Sequence, residues 1–462
     1  MKKYLALSVI ASTLLMAGGD VKPVEPVVQA VEEESVGTFS GQFRTFYVDR
    51  TYDNNHPIGN RNSLALGGWI GYDSAEWNGF SAGFKAYGLE HIKLHDKSAA
   101  SMTAAGLNTS YSYDPSVYGP GFDSYGFFGE AYLNYATGNT NIKVGRQRLD
   151  TPLAGADDAR MIPNLFEAAV LSNTDLQDTT LILAHVSQMA AGDFSNVYGT
   201  GSALSIQSGY GLGFQLSGSG NFTNMGTVAL GNEDAGGNYV DNTTDGVTAG
   251  AVIYKGIDGL TLQAWDYYAH DILNAVYLQA DYGWNCLLSD AVKMMASAQY
   301  INQSDVGNAL AGNVDSNYWA AKLGASAGAL SGFVAYSQTG DSDGAMNGGI
   351  ITPWGGMPAF TQGMVTRHQF FSDTDAWKVA GTYKMNELLG ANVKATVYYT
   401  SFDVGNTSTY AAGADSDEWG WDVEYQATEN LNLRVRANYP NDFTGPDGFG
   451  WDEYRLIANY NF

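Results

Sequence analysis

The last nine residues, Tyr454 to Phe462, read YRLIANYNF and alternate between two kinds of side chain. Two faces result, the first with Tyr454, Leu456, Ala458, Tyr460 and Phe462, and the second with Arg455, Asn459 and Asn461; only Ile457 is out of pattern. Successive side chains of a strand point to opposite faces of a sheet. An aromatic, apolar face opposite a polar face is typical of a strand with lipid on one side and water on the other.

The same period of two recurs along the chain. Leu433 and Val435 alternate with Arg434 and Arg436, and Phe43 precedes Arg44 in another alternating run near the N-terminus. Alternation alone also fits a soluble β-sandwich, whose apolar face would turn inward. If the apolar face meets lipid, five basic residues face the lumen and form a basic wall: Arg44, Lys85, Arg434, Arg436 and Arg455.

The connections between these runs alternate in length. Short turns occupy residues 73–79, 136–141, 255–259, 385–392 and 426–430. Long segments rich in Gly, Asn and Asp occupy residues 93–123, 190–246 and 339–373. Short turns on one rim and long loops on the other are typical of transmembrane barrels. We predict an all-β, antiparallel up-and-down transmembrane β-barrel of about 18 strands over residues 38–462, or about 20 if residues 202–218 form a hairpin.

The N-terminus, MKKYLALSVIASTLLMAGGD, places two lysines before an apolar run that ends in small residues. This order predicts a secretory signal peptide over residues 1–19. Residues 20–37 are acidic and proline-bearing, which predicts a periplasmic lead-in with the composition of a disordered segment. No later apolar run reaches the roughly 18 residues of a membrane helix. We therefore predict an exported protein that spans the bacterial outer membrane with strands.

The net charge excludes one kind of partner, and the cysteine count excludes an internal disulfide. The formal net charge is -25 at pH 7, which excludes nucleic acid as a partner because its phosphates would be repelled. Cys286 is the single cysteine, so no internal disulfide can form.

Gly145 to Pro163, GRQRLDTPLAGADDARMIP, contains three arginines, three aspartates and two prolines. Proline does not fit a central strand, and these charges would be costly against lipid. We predict a loop that folds into the barrel and narrows the pore within residues 146–166. Its candidate constriction side chains are Asp157, Asp158, Arg160, Arg146 and Arg148.

Two alternatives apply to these side chains. Arg146 and Arg148 share strand parity with Ile142 and Val144, so they face the lumen only if the strand ends or bulges near Gly145. Otherwise they are charges at the membrane rim. The alternative for the other three residues is a purely structural role. In that case Asp157, Asp158 and Arg160 anchor the loop to the barrel wall through ion pairs.

Three stretches resemble one family. GRQRLDTPLAGADDARMIPNLFEAA, ITPWGGMPAFTQ and DTDAWKVAGTYK are similar to sequences of the OprD-type outer-membrane porins, in the branch found in Campylobacter-related bacteria. The resemblance implies 18 strands, a third extracellular loop that folds inward, a basic wall, and permeability for small carboxylates or amino acids. By position, Asp157, Asp158 and Arg160 match the D-D-x-R turn of that loop. The terminal Phe462 resembles the residue that the barrel assembly machinery reads in outer-membrane proteins.

We predict an outer-membrane porin for passive diffusion of small hydrophilic solutes, with outer-membrane lipids as its surroundings. The alternatives are a barrel enzyme that hydrolyses lipid or peptide, and a surface adhesin. His185 and Ser187 share a strand face, but that spacing recurs by chance in any strand, so we expect no enzyme. The acidic run at Asp341 has Thr352 where a calcium loop needs glutamate, so we expect no metal and no cofactor. The sequence leaves a monomer and a homotrimer open.

Overall fold

Eighteen long antiparallel strands form the wall of the molecule. The computed structural model describes residues 36–53, 60–94, 113–118, 123–193, 220–232, 237–356, 359–443 and 448–462. The predicted signal peptide, most of the predicted lead-in and the hairpin considered at residues 202–218 lie outside the described residues. Within the described part of the chain, no helix is long and apolar enough to cross a membrane.

The strands are β1 (Thr38–Tyr52), β2 (Arg61–Asp73), β3 (Phe80–Ile92), β4 (Tyr125–Thr137), β5 (Thr140–Gln147), β6 (Leu165–Asn173), β7 (Thr179–Ala190), β8 (Val247–Ile257), β9 (Leu260–Ala269), β10 (Leu273–Cys286), β11 (Ser289–Asp305), β12 (Asp315–Ala327), β13 (Leu330–Thr339), β14 (Thr374–Lys384), β15 (Val393–Val404), β16 (Asp415–Gln426), β17 (Leu431–Asn441) and β18 (Trp451–Asn461). Each pairs with the next along the chain. The part of the chain that the structure describes also contains two short α-helices, α1 (Met225–Leu230) and α2 (Asn386–Leu389).

The sheet closes on itself. Strands β1 and β18 pair from Gln42 opposite Asn461 to Tyr52 opposite Trp451. Phe462 and Gly41 extend the seam with two backbone hydrogen bonds of 3.0 and 2.9 Å. A closed sheet satisfies every strand's backbone groups, as a bilayer requires. The predicted 18-stranded barrel is confirmed.

Apolar side chains of the last strand point away from the lumen. Tyr454, Leu456, Tyr460 and Phe462 are 40 to 56% exposed, and no second protein layer covers them among the described residues. Between them on β18, Glu453 and Arg455 are buried inside the barrel. The apolar side chains of this strand therefore face outward, as in a membrane barrel, and not inward, as in a soluble sandwich.

Much of the lumen is filled by loops from the long-loop rim. We call residues 148–164, between β5 and β6, the constriction loop, and residues 340–373, between β13 and β14, the second inward loop. Together with α1, they pack an apolar core inside the barrel against the wall from β6 to β13. Leu153, Met225, Trp354 and Phe360 belong to this core and are at most 4% exposed.

Candidate functional site: a charged constriction in the lumen

The constriction loop is held in place at several points. Its two-residue strands Asp150–Thr151 and Ala154–Gly155 pair with each other. The amide of Leu153 donates to the Tyr267 hydroxyl on β9 at 3.3 Å. The amide of Asn164 donates to the Ala156 carbonyl at 2.7 Å, which closes the loop at its base. The loop is thus a packed element inside the barrel, as predicted for residues 146–166.

Asp158 is the carboxylate at the charged edge of this loop. One of its oxygens lies 2.5 Å from an Arg44 nitrogen, and the other accepts from Arg44 at 3.2 Å and from Arg148 at 3.3 Å. Its side chain keeps 19% exposure. Burial would raise the pKa of Asp158, but Arg44 and Arg148 lower it to about 2. The carboxylate is therefore charged throughout the neutral and mildly acidic range.

Asp157 and Arg160 act as anchors. Asp157, in a left-handed conformation with φ of 43°, accepts from the amide of Gly356 in the second inward loop at 3.2 Å. Arg160 is fully buried and donates to Ser116 at 3.0 Å and to Glu453 at 3.1 Å. The geometry of these two residues fits the anchoring alternative.

Glu453 on β18 is the centre of a buried ion cluster. Its carboxylate contacts Arg455 at 2.5 Å, Arg50 at 2.7 Å and Arg160 at 3.1 Å. A second carboxylate, Asp114, lies 3.4 Å from Arg50. Buried charges need partners of opposite sign, and here three guanidinium groups share two carboxylates. This cluster joins the constriction loop to the barrel wall.

Arg146 and Arg148 point to different sides. Arg146 continues the outward face of Ile142 and Val144, lies 3.5 Å from Glu167 on β6, and places its guanidinium 4.2 Å from the Phe222 ring centroid. Arg148 follows the end of β5 and bonds Asp150 at 3.1 Å and Asp158 at 3.3 Å. Arg148 thus belongs to the charged edge, whereas Arg146 lies beside Glu167 and Phe222 instead.

The basic residues predicted from strand parity all face inward. Lys85 lies 3.3 Å from Glu130. Arg434 donates to Asp422 at 2.9 Å, and Arg436 approaches the same carboxylate at 3.4 Å. Arg44 and Arg455 contact Asp158 and Glu453, as described above. Asp158 and Asp422 thus each contact two arginines.

The second inward loop is a part of the site that the sequence interpretation missed. Glu418 on β16 accepts from the backbone amides of Met364 at 2.5 Å, Val365 at 3.2 Å and Thr366 at 2.7 Å. Its carboxylate also accepts from the Tyr398 hydroxyl. The apolar string ITPWGGMPAF could have signalled this position, because an exposed loop has little reason to be so apolar.

Contact between the two loops depends on a glycine. Gly356 has φ of 89°, and a β-carbon there would lie 2.3 Å from the carbonyl oxygen of Pro152 in the constriction loop. Trp354 accepts from the amide of Gly155 through its carbonyl at 3.1 Å and donates through its indole to the carbonyl of Met225 in α1 at 3.0 Å. The constriction loop, the second inward loop and α1 therefore form one unit.

Asp193, just after β7, forms a hydrogen bond to the base of the constriction loop. Its carboxylate accepts from the Tyr125 hydroxyl at 2.6 Å and from the amide of Ile162 at 3.0 Å. Burial raises the pKa of Asp193 to about 7, although both hydrogen bonds lower it.

This raised pKa predicts a pH effect on the loop. The folded protein binds the proton of Asp193 more tightly than the unfolded chain, so the stabilisation is complete at low pH and is lost as pH rises through about 7. We expect a loss of roughly 1 kcal/mol between pH 6 and pH 8. Asp193→Asn should remove this slope, measured by hydrogen exchange of the amides of residues 160–162 and 164. Asp305→Asn, which alters another loop-capping carboxylate, should keep it; an unchanged slope in Asp193→Asn would contradict the assignment.

No cluster of three or more His, Cys, Asp or Glu side chains that could hold a metal ion occurs among the described residues. His185 faces outward and bonds Thr248 at 3.0 Å, whereas the Ser187 hydroxyl donates to the Glu167 carbonyl at 3.2 Å. The histidine and serine are therefore engaged with other groups rather than with each other.

A closed 18-stranded barrel with loops folded into a charged lumen defines an outer-membrane porin. The family model described as outer membrane porin, OprD family, matches residues 35–462. The chain therefore belongs to the OprD family; it is a channel protein of the outer membrane and not an enzyme.

Solved structures show the same fold. OpdK of Pseudomonas aeruginosa with vanillate is 17% identical, with a TM-score of 0.69 over 92% of this chain and 98% of that chain. OccAB3 of Acinetobacter baumannii is 16% identical, with a TM-score of 0.72 over 93% and 100%. OccK2 of P. aeruginosa in complex with glucuronate is 17% identical, with a TM-score of 0.67 over 92% and 98%. A search of curated proteins finds no match.

Proposed function

We propose that this porin passes small hydrophilic solutes that carry a carboxylate, including amino acids, by passive diffusion. The path runs past the constriction within residues 146–166 and the facing basic wall. The observation that carries the proposal is the sharing of one carboxylate by two arginines, at Asp158 with Arg44 and Arg148, and at Asp422 with Arg434 and Arg436. Arg146, which contacts Glu167 and Phe222 rather than Asp158, is left out of this path.

Two arginines that share one carboxylate keep a net positive charge that attracts a passing solute carboxylate. A guanidinium group binds a carboxylate through paired hydrogen bonds, and several such groups in a row give weak successive sites. A solute carboxylate can exchange with Asp158 at Arg44 without being trapped. The vanillate and glucuronate named with two structural relatives are both carboxylates, which supports this chemistry by analogy.

Asp158→Asn should make the channel more selective for anions. Loss of this charge leaves the positive charges of Arg44 and Arg148 less compensated. One unit charge at about 4 Å near a protein surface is worth up to about 4 kcal/mol, so a several-fold change in permeability ratio is expected. The measurement is the reversal potential of the purified porin in a planar bilayer under a gradient of potassium chloride, then of potassium acetate.

Asp49→Asn is the matched control, because Asp49 lies on β1 with Arg44 but on the outward face, where the Tyr47 hydroxyl contacts it at 3.1 Å. Its reversal potential should equal that of the unaltered protein. A channel that excludes acetate and glycine, or an Asp158→Asn variant with unaltered selectivity, would overturn the proposal.

We also propose that Phe462 is the residue that the assembly machinery reads. Its ring is 56% exposed on the outer face at the closing seam. Phe462→Ala should lower the amount of folded porin in the outer membrane, measured by heat-modifiable migration of outer-membrane extracts.

A further inference from the structure

The outward apolar surface of the barrel differs in height from one side to the other. On β12, every outward residue from Trp319 to Ala327 is apolar, which makes five successive outward positions. Five such positions cover ten residues, about 33 Å along a strand and about 25 Å along the membrane normal at the usual strand tilt. This height matches the apolar band of roughly 25 Å that transmembrane barrels present to lipid.

On β5 to β8 the apolar surface is much shorter. Each of β5, β6 and β7 has two successive outward apolar residues between polar ones, and β8 has Gly250 and Val252 between Thr248 and Tyr254. The eight residues that we call the narrow face are Ile142, Val144, Ala169, Leu171, Leu181, Leu183, Gly250 and Val252. Two outward positions cover only about 13 Å along a strand and about 10 Å along the membrane normal. The narrow face is therefore about 15 Å shorter than the apolar surface of β12.

Polar side chains border the narrow face at both ends. At the short-turn end, the Asn173 amide donates to the Thr140 hydroxyl at 2.8 Å. At the long-loop end, the Thr248 hydroxyl lies 3.0 Å from Nδ1 of His185 and 3.1 Å from Nε2 of His270. A bilayer that covers β12 would bring hydrocarbon to these polar groups, and thinning the bilayer by about 15 Å is costly because each ångström of mismatch adds to the energy. The narrow face therefore fits a protein neighbour better than it fits lipid.

The narrow face is also low and flat. A β-carbon at Gly250 would meet nothing within 4 Å, so the packing of the barrel itself does not require a glycine there. On the tall side of the barrel, by contrast, outward aromatic rings contact one another across strands, as Trp319 and Tyr336 do with their centroids 5.4 Å apart. Small residues on a membrane-facing surface allow the backbone of a neighbouring protein to approach closely.

We propose that the narrow face is the contact surface between copies of this chain in the outer membrane. Four strands are about 19 Å wide, and an area of about 19 by 25 Å on each of two copies buries about 1,000 Å² in total, which reaches the lower range of specific interfaces. The hydroxyl, amide and imidazole groups that border the face can donate and accept, so the same groups on a second copy can pair with them. Symmetric homo-oligomers are the commonest assemblies. The proposal does not depend on which solutes pass through the lumen.

Photo-cross-linking in intact outer membranes tests the contact. The photoreactive amino acid p-benzoylphenylalanine, placed at Leu183 on the narrow face, should give a product of twice the mass of one chain after irradiation. The matched control has the same group at Leu323 on β12, because these two outward leucines are 56% and 49% exposed. It should give little or no such product. Equal yields at the two positions, or a product with a different protein at Leu183, would overturn the proposal.

Gly250→Trp tests the close approach. The indole ring should hold two narrow faces apart, and the fraction of oligomer, measured by native mass spectrometry of the purified porin, should fall at least about tenfold. Gly381→Trp is the matched control, since Gly381 on β14 is also an outward glycine whose β-carbon would meet nothing within 4 Å. It should assemble as the unaltered porin does. An unaltered porin with the mass of one chain, or an oligomer that persists in Gly250→Trp, would refute the assignment. If Gly250→Trp does not fold, the cross-linking comparison still decides.

Discussion

Glu453→Gln is expected to destabilise the porin by about 3 to 5 kcal/mol, the cost of breaking a buried charge cluster from one side. Three arginines, Arg50, Arg160 and Arg455, contact this fully buried carboxylate. Without its charge, they keep only Asp114 as an acidic partner within the cluster. The free energy of unfolding should be measured by urea titration of the porin in lipid vesicles, followed by tryptophan fluorescence.

The same variant should loosen the constriction loop, because Arg160 links that loop to Glu453. Larger fluctuations of the single-channel current are then expected. Glu424→Gln is the matched control: this carboxylate is also inward, is 26% exposed, and pairs with Lys394. Because water still reaches this pair, its contribution should be close to the roughly 0 to 1 kcal/mol of a surface ion pair. If Glu453→Gln and Glu424→Gln lower the free energy of unfolding by the same small amount, the Glu453 cluster does not hold the loop.

Glu418→Gln is expected to release the tip of the second inward loop and to widen the pore. The carboxylate accepts from three consecutive backbone amides, and a glutamine amide would turn an N–H group toward at least one of these donors. A hydrogen bond to a charged group contributes about 1.5 to 3 kcal/mol, so loss of one or two should shift the loop out of its packed position. Single-channel conductance should rise, and larger sugars should enter porin-containing liposomes faster in a swelling assay.

Asp417→Asn provides the comparison, because Asp417 neighbours Glu418 on β16 but points outward and contacts the Asn441 side chain at 3.0 Å. Its conductance and sugar uptake should match those of the unaltered porin. Unchanged conductance in Glu418→Gln would mean that the apolar contacts of Trp354 and Phe360 suffice to hold the second inward loop.

The strongly acidic sequence and the arginine-lined lumen are compatible because electrostatics acts locally. Exposed charges are screened beyond about 8 Å at physiological ionic strength. A solute near Asp422 therefore responds to Arg434 and Arg436 rather than to the total of -25. Net charge by itself did not predict which ions the lumen favours.

The sequence by itself determined the barrel, its membrane-facing side and the inward direction of Arg44, Lys85, Arg434, Arg436 and Arg455. These properties depend on the alternation of neighbouring residues, which a strand's geometry converts directly into two faces. The predicted inward position of the constriction loop had the same local basis, since its charges and prolines fit neither lipid nor a central strand.

Only the tertiary structure decided which acid pairs with which base and that a second loop fills the lumen. Arg44 and Asp158 are 114 positions apart in the chain, and Arg160 and Glu453 are 293 apart. Arg146 and Arg148 have the same parity, yet the end of β5 at Gln147 sends one toward Glu167 and the other to the charged edge. Such contacts arise when the sheet closes and the loops pack inside it, and no local pattern of residues encodes which distant groups then meet.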